Sequence, residues 1–187
     1  MLKKSLFLCL FVLTLTIGCN KNETLYKVVG VKDGDTMVLL SPDNQSITVR
    51  LAEIDAPEKS QAFGQAAKQF TSNLCFGKMV KLIGNQHDRY GRTVGKVELE
   101  NGTNVNYEIV KQGYAWQYRA YSKNMELASL EEHAREAHLG LWQDANPTPP
   151  WIFRKEGKTR RVEQKTTKPK KHYKKRKSRK HRDTVSF

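Results

Sequence analysis

Five short runs of β-forming residues, with one helical pattern set between the third and the fourth, constrain this chain more than anything else in it. Leu25-Tyr-Lys-Val-Val-Gly-Val31 and Thr36-Met-Val-Leu-Leu40 are apolar and β-branched, and Asp33-Gly34 between them is a turn signal. Ile47 to Ile54 alternates, with Ile47, Val49 and Leu51 on one side and Thr48, Arg50 and Ala52 on the other. Pro57 cannot donate to a strand ladder and ends that run. Met79–Ile83 and Thr93–Leu99 are the fourth and fifth runs, and Asn101-Gly102 is a tight-turn signal. Residues 60–76 place Phe63, Ala66, Ala67, Phe70 and Leu74 at helical spacing, with Ser60 as the expected N-cap and Gly77 as the stop. Two more helices are expected: residues 105–112, stopped by Gly113, and residues 125–139, with Leu127, Leu130, Ala134 and Ala137 inward and Gly140 after them. The pattern predicts an α+β domain, a five-stranded OB-fold β-barrel with about three packed α-helices.

Charge marks where that domain ends. The formal net charge of the 187 residues is +14, yet residues 154–187 alone hold sixteen Lys/Arg against Glu156, Glu163 and Asp183. Residues 20–153 are nearly neutral, so the basicity belongs to the C-terminal segment. That segment has too few apolar residues to offset the entropy of ordering and is expected to be a disordered Lys/Arg-rich tail from Arg154 onward. Asn146 to Pro150, with three prolines, closes the domain, and Trp151 to Phe153 is expected to pin the chain back onto it. At the other end, Lys3 and Lys4, an apolar run from Leu6 to Leu15 and the Gly18-Cys19 exit read as an export signal over residues 1–19. Gly before Cys there resembles the bacterial lipoprotein signal, which implies lipidation of Cys19 and a membrane-anchored extracytoplasmic protein; plain secretion is the alternative. Residues 20–24 are a short linker to the domain at 25–153.

The polar residues that break the strand pattern gather in three places. Asp33-Gly-Asp-Thr36 is an acidic turn, Arg50-Leu-Ala-Glu-Ile-Asp-Ala-Pro-Glu58 puts one arginine and three carboxylates into nine residues, and Asp88-Arg-Tyr-Gly-Arg92 is a basic turn. Asp33, Asp35, Asp55 and Glu58 are expected near one another, and clustered carboxylates repel unless a cation sits among them. A hard divalent ion with oxygen ligands and retained waters suits such a set, although the loop is not an EF-hand. Arg50 and Arg92 offer planar forks to phosphate oxygens. Metal, paired guanidinium groups and a carboxylate able to act on water form the set that attack on a phosphodiester requires. Cys75, alone in the domain, reads as a buried small apolar residue. The five histidines fall at no metal-ligand spacing, and Trp116, Trp142 and Trp151 read as core or hinge packing.

Asp33-Gly-Asp-Thr36, Arg50-Leu-x-x-Ile-Asp55-Ala-Pro-Glu58 and Asp88-Arg-Tyr-Gly-Arg92 together resemble the thermonuclease (staphylococcal nuclease) family, as do Gly113-Tyr-Ala-Trp116 and Gly140-Leu-Trp142. The resemblance covers about residues 25–153. It implies Ca²⁺ held by Asp35 and Asp55 with the Ala56 carbonyl, Arg50 and Arg92 on the scissile phosphate, and Glu58 as general base. It also implies hydrolysis of DNA and RNA to 3′-phosphate ends. Ala56 stands where the best-known member has threonine, which matters little for a backbone ligand. Tyr90 and Tyr121 are candidates to line the nucleotide pocket, Tyr121 equally a packing residue. The alternative is a non-catalytic nucleic-acid-binding OB-fold surface protein, but a binder has no use for carboxylates facing a phosphate. The chain is expected to act as a monomer, its tail binding polyanions: nucleic acid first, acidic lipid or polysaccharide second.

Overall fold

The computed structural model describes residues 24–167. The expected export signal with Cys19 and the basic segment 168–187 lie outside the described residues. In chain order the elements are β1 (Leu25–Asp33), β2 (Thr36–Leu40), β3 (Ser46–Leu51), β4 (Ile54–Asp55), α1 (Gly64–Cys75), β5 (Met79–His87), β6 (Thr93–Leu99), α2 (Val105–Lys111), β7 (Trp116–Gln117), α3 (Met125–Glu136), a 3₁₀ turn at Gly140–Gln143 and α4 (Pro150–Thr167).

Five strands close a barrel in the order β1-β2-β3-β6-β5, the α+β architecture expected. Consecutive hairpins pair antiparallel, whereas β3 and β6 run parallel, with Val49, Arg50 and Leu51 opposite Thr93, Val94 and Gly95. That parallel seam follows from the chain leaving the sheet after β3, passing through α1 and returning as β5 and β6. Alternation fills the barrel: Val28, Met37, Leu39, Val49, Leu51, Val80 and Val97 are all buried inside. Beside the seam, the fully buried Asn106 of α2 donates to the Ala52 carbonyl (2.9 Å) and accepts from the Val97 amide (3.1 Å). It satisfies backbone groups that the ladder leaves open.

Three helix expectations need correction. α1 begins at Gly64 behind Phe63 in the left-handed region (φ 62°), not at Ser60, and no side chain caps it. Its buried stripe is Gly64, Ala67, Thr71 and Cys75, while Ala66 is exposed and Phe70 half-buried, stacked on Tyr114 at 4.7 Å. Ala67, Phe63, Phe70 and Leu74 do face the core as expected, and only Ala66 falls outside, since Gly64 and the hydrogen-bonded Thr71 share the inner face. On α3 the inward residues are Leu127, Leu130, Glu131 and Ala134, and only Ala137, an exposed C-cap residue, departs from the expectation. Glu131, 1% exposed, is tolerated there because it accepts from the Gln117 amide (2.7 Å) and from Arg135 (2.7 Å).

The third correction concerns the C-terminal segment. It does not become irregular at Arg154: α4 runs from Pro150 to Thr167, making a fourth packed helix. Pro at the first helical position starts it. Trp151 stacks on Tyr118 (5.6 Å, 7° between planes) and meets Trp116 edge-on (6.4 Å), and Trp116 in turn meets Trp142 (5.3 Å). The expected pinning by Trp151 is thus present, and the pinned segment is helical.

Candidate active site

One open pocket of about 850 Å³ lies at the barrel rim where the three motifs meet, and Asp33, Asp35, Arg50, Asp55, Glu58, Asp88, Tyr90, Arg92 and Tyr121 all line it. Small residues bring its parts together. A Cβ added to Gly34 would lie 2.7 Å from the Ala56 Cβ and 2.9 Å from the Ala67 Cβ, so the acidic turn, the β4 segment and α1 touch through residues with almost no side chain. The Thr71 hydroxyl donates to the Gly34 carbonyl (2.8 Å), and the Asp35 carbonyl accepts from the Leu51 amide (2.8 Å), fixing the turn against both neighbours.

Strand register does the rest. Thr36 pairs with Arg50 across β2 and β3, which sets Asp35 beside the Arg50 guanidinium. Arg50 Nη1 lies 2.6 Å from Asp35 Oδ2, and Nη2 lies 2.8 Å from Asp55 Oδ1. Asp35 also accepts from the Ala56 amide (2.9 Å) and the Thr36 hydroxyl (3.1 Å). Asp35 and Asp55 are both buried, at 6% and 1% exposure, so two carboxylates from neighbouring elements converge on one fork. Burial works against the Arg50 charge, but Asp35, Asp55 and Asp33 outweigh it and hold Arg50 above its ordinary pKa. Burial lifts Asp55 above the usual carboxylate range against the pull of Arg154 and Arg50, with Asp35 adding to the rise. Asp33, buried next to Asp35, is pushed up to about 6.

The basic turn is preorganised by its own aspartate. Asp88 Oδ1 accepts from the Tyr90 and Arg92 amides (2.9 and 3.0 Å), and Oδ2 takes Arg92 Nε and Nη2 (2.7 and 2.6 Å). Despite some desolvation, these bonds hold Asp88 below the ordinary carboxylate range. The Arg92 Nη1 approaches the Thr36 hydroxyl at 3.4 Å, tying the basic turn to the acidic one. Arg50 and Arg92 therefore face a common hollow. Tyr90 (69% exposed) and Tyr121 (76% exposed) stand at its rim, Tyr90 under Arg89 and Arg92 and Tyr121 packed on Tyr118 at 4.7 Å.

Among the described residues no three His, Cys, Asp or Glu side chains gather into a ready-made metal cage. The donor chemistry nevertheless fits a hard divalent ion that keeps most of its waters. Asp35 and Asp55 supply two buried carboxylates within reach of one common cation, the place now taken by arginine nitrogens.

One site residue escaped the sequence. Arg154 of α4 donates Nη2 to Asp55 Oδ2 (2.7 Å) and Nη1 to Asp55 Oδ1 (3.2 Å) and Glu58 Oε1 (2.8 Å). Burial opposes its charge, but those carboxylates hold it well above the ordinary arginine value. Trp151, Arg154, Lys155 and Lys158 stand at i, i+3, i+4, i+7 and all line the pocket. That spacing was available in the sequence, but the surrounding lysines and arginines made the segment look like an unstructured tail. Cys75 is buried, with burial pushing its thiol up to about 12, and it lies outside the pocket.

A family model described as staphylococcal nuclease homologue matches residues 48–144. A protein of Haemophilus influenzae described as an uncharacterized endonuclease is 44% identical over 149 residues, 80% of this chain and 83% of that protein. An Escherichia coli O157:H7 protein with the same description is 39% identical over 153 residues, covering 82% of this chain and 98% of its own length. A Shigella flexneri protein described as micrococcal nuclease is 42% identical over 142 residues, 71% of this chain and 81% of that protein.

Proposed function

The chain belongs to the staphylococcal nuclease family and is a hydrolytic nuclease, and on that premise we propose that it cuts DNA and RNA outside the cytoplasm in a Ca²⁺-dependent reaction leaving 3′-phosphate ends. The observation that carries this reading is the convergence of Asp35 and Asp55 on one guanidinium, with Glu58 and Arg92 lining the same hollow.

Asp35 and Asp55, with the Ala56 carbonyl, would hold the ion. When bound, it supplies positive charge against the anionic phosphate and its departing oxygen. The remaining work falls to the chain itself. Arg92, preset by Asp88, would take the phosphate oxygens from the basic turn, and Arg50 from the strand beneath. Two planar forks on one phosphate stabilise the extra charge of the five-coordinate state. Glu58, 39% exposed at its side chain, sits on the solvent side of the buried aspartates, where it would orient water and accept its proton. Breaking the P–O5′ bond leaves the phosphate on the 3′ oxygen. Tyr90 and Tyr121, both exposed at the rim, would offer ring faces to bases on either side. The leading residues 1–19 support an export route, with lipidation of Cys19 as the anchor and plain secretion as the alternative.

Plasmid digestion in Ca²⁺ and in EDTA tests the reading. Wild-type cutting should need the ion, and Glu58→Gln and Arg92→Ala should each lose about 10²-fold or more. Wild-type rates in both variants would move the chemistry elsewhere.

A further inference from the structure

Both oxygens of Asp55 are engaged by guanidinium groups. Oδ1 accepts from Arg50 and Arg154, and Oδ2 accepts from Arg154. The two arginines hold it differently. Arg50 belongs to the barrel, pairs in β3 and is 15% exposed at its side chain. Arg154 arrives from α4, 99 residues later in the chain, lies on the solvent side at 37% exposure, and bonds Glu58 with the same Nη1 that reaches Asp55. Of the cations on this carboxylate, Arg154 is the one that can depart without opening the barrel.

We propose that Arg154 is a built-in competitor for the divalent cation: it neutralises Asp55 and Glu58 together, and Asp55 becomes a ligand only when Arg154 swings off both. The inference rests on reading Asp35 and Asp55 as cation ligands. One movement then does two things. It opens the ion's place on Asp55 and frees the Glu58 carboxylate oxygen from the guanidinium now bonded to it. The wall that carries Arg154 also presents Lys155 and Lys158 to the same pocket, so the released guanidinium stays among groups suited to phosphate. Binding of the ion and seating of Arg154 are reciprocal, because each destabilises the other by the same free energy.

Calorimetric titration of Ca²⁺ into metal-stripped protein reads this without any cleavage. Removing a positive charge hydrogen-bonded to a ligand in a half-exposed site should make Arg154→Gln bind Ca²⁺ about tenfold more tightly. Arg154→Lys, which keeps the charge and loses the two-carboxylate fork, should fall between. Equal or weaker binding by folded Arg154→Gln overturns the proposal. The wild-type chain gives a second test that needs no folded variant. The Arg154 side-chain Nη–H signals, protected from solvent exchange while paired, should exchange faster as Ca²⁺ is added; unchanged protection at saturation overturns the proposal. A chain that binds Ca²⁺ in this way yet leaves DNA intact supports the competitor role and defeats the nuclease reading. Ca²⁺-dependent cutting with no tightening in Arg154→Gln defeats the competitor role alone, and absence of Ca²⁺ binding in both proteins defeats both.

Discussion

Asp33 shows how crowded the carboxylates are. It sits beside Asp35 and accepts from the Asp35 amide at 3.2 Å. Burial and the Asp35 charge push its carboxyl up to about 6, from 3.8 in the open chain. The folded state therefore binds a proton between those values that the unfolded chain does not, and its contribution to stability is complete below pH 4 and lost as pH rises through 6. Asp33→Asn should remove that slope. In urea melts with EDTA, the variant should gain about 1–2 kcal/mol on wild type between pH 4.5 and pH 7, less than the full shift allows because the group is partly solvated. Parallel pH curves for the two proteins would place the raised carboxyl elsewhere. Asp35, Arg50, Asp55, Glu58 and Arg92 were legible in sequence as members of three short polar motifs, and the fold brings them to one pocket. Arg154 was not, since its role depends on a helix that composition argued against. Glu131 was missed on a helix face judged by apolarity alone.

At the scale of elements, two turns lock together through bare backbone. Gly113 (φ 72°) and Gly140 (φ 52°) both lie in the left-handed region. A Cβ on Gly113 would lie 2.2 Å from the Leu139 carbonyl oxygen, and one on Gly140 would lie 2.2 Å from the Gly113 oxygen. The Leu141 amide donates to that Gly113 oxygen at 2.8 Å. This contact joins the end of α2 to the 3₁₀ turn and sets Trp142 against Trp116, the ring pair on which Trp151 and the start of α4 rest. Gly113→Ala should cost about 2–4 kcal/mol, part from left-handed strain and part from the clash, read as a lowered chemical-denaturation midpoint. A midpoint within error of wild type would mean the turn can relax. The strands themselves were readable because alternation with period two is a strong local signal. The barrel's parallel seam and the docking of α4 were not, because both arise from contacts between segments far apart in sequence.

Over the whole molecule, the positive charge gathers at the C-terminal end. The nearly neutral residues 20–153 supply most of the pocket, α4 adds Arg154, Lys155 and Lys158 to it, and the sequence from 168 to 187 holds ten Lys/Arg against Asp183 alone. We expect that segment to hold polyanions near the site by releasing their counterions. Because α4 extends to Thr167, a deletion that tests the idea should begin at residue 168 and leave the helix whole. Removing residues 168–187 should raise the apparent KM on long DNA and flatten its dependence on salt, with kcat on short oligonucleotides unchanged. Equal KM and equal salt slopes would make the segment a solvated appendage.

α4 joins two ends of this protein that a diagram of the chain would keep apart. Its first turns lean on the carboxylates of the pocket, and its last residue hands over directly to the polybasic stretch. Whatever grasps the chain beyond Thr167 has hold of a lever whose short arm rests on Asp55 and Glu58.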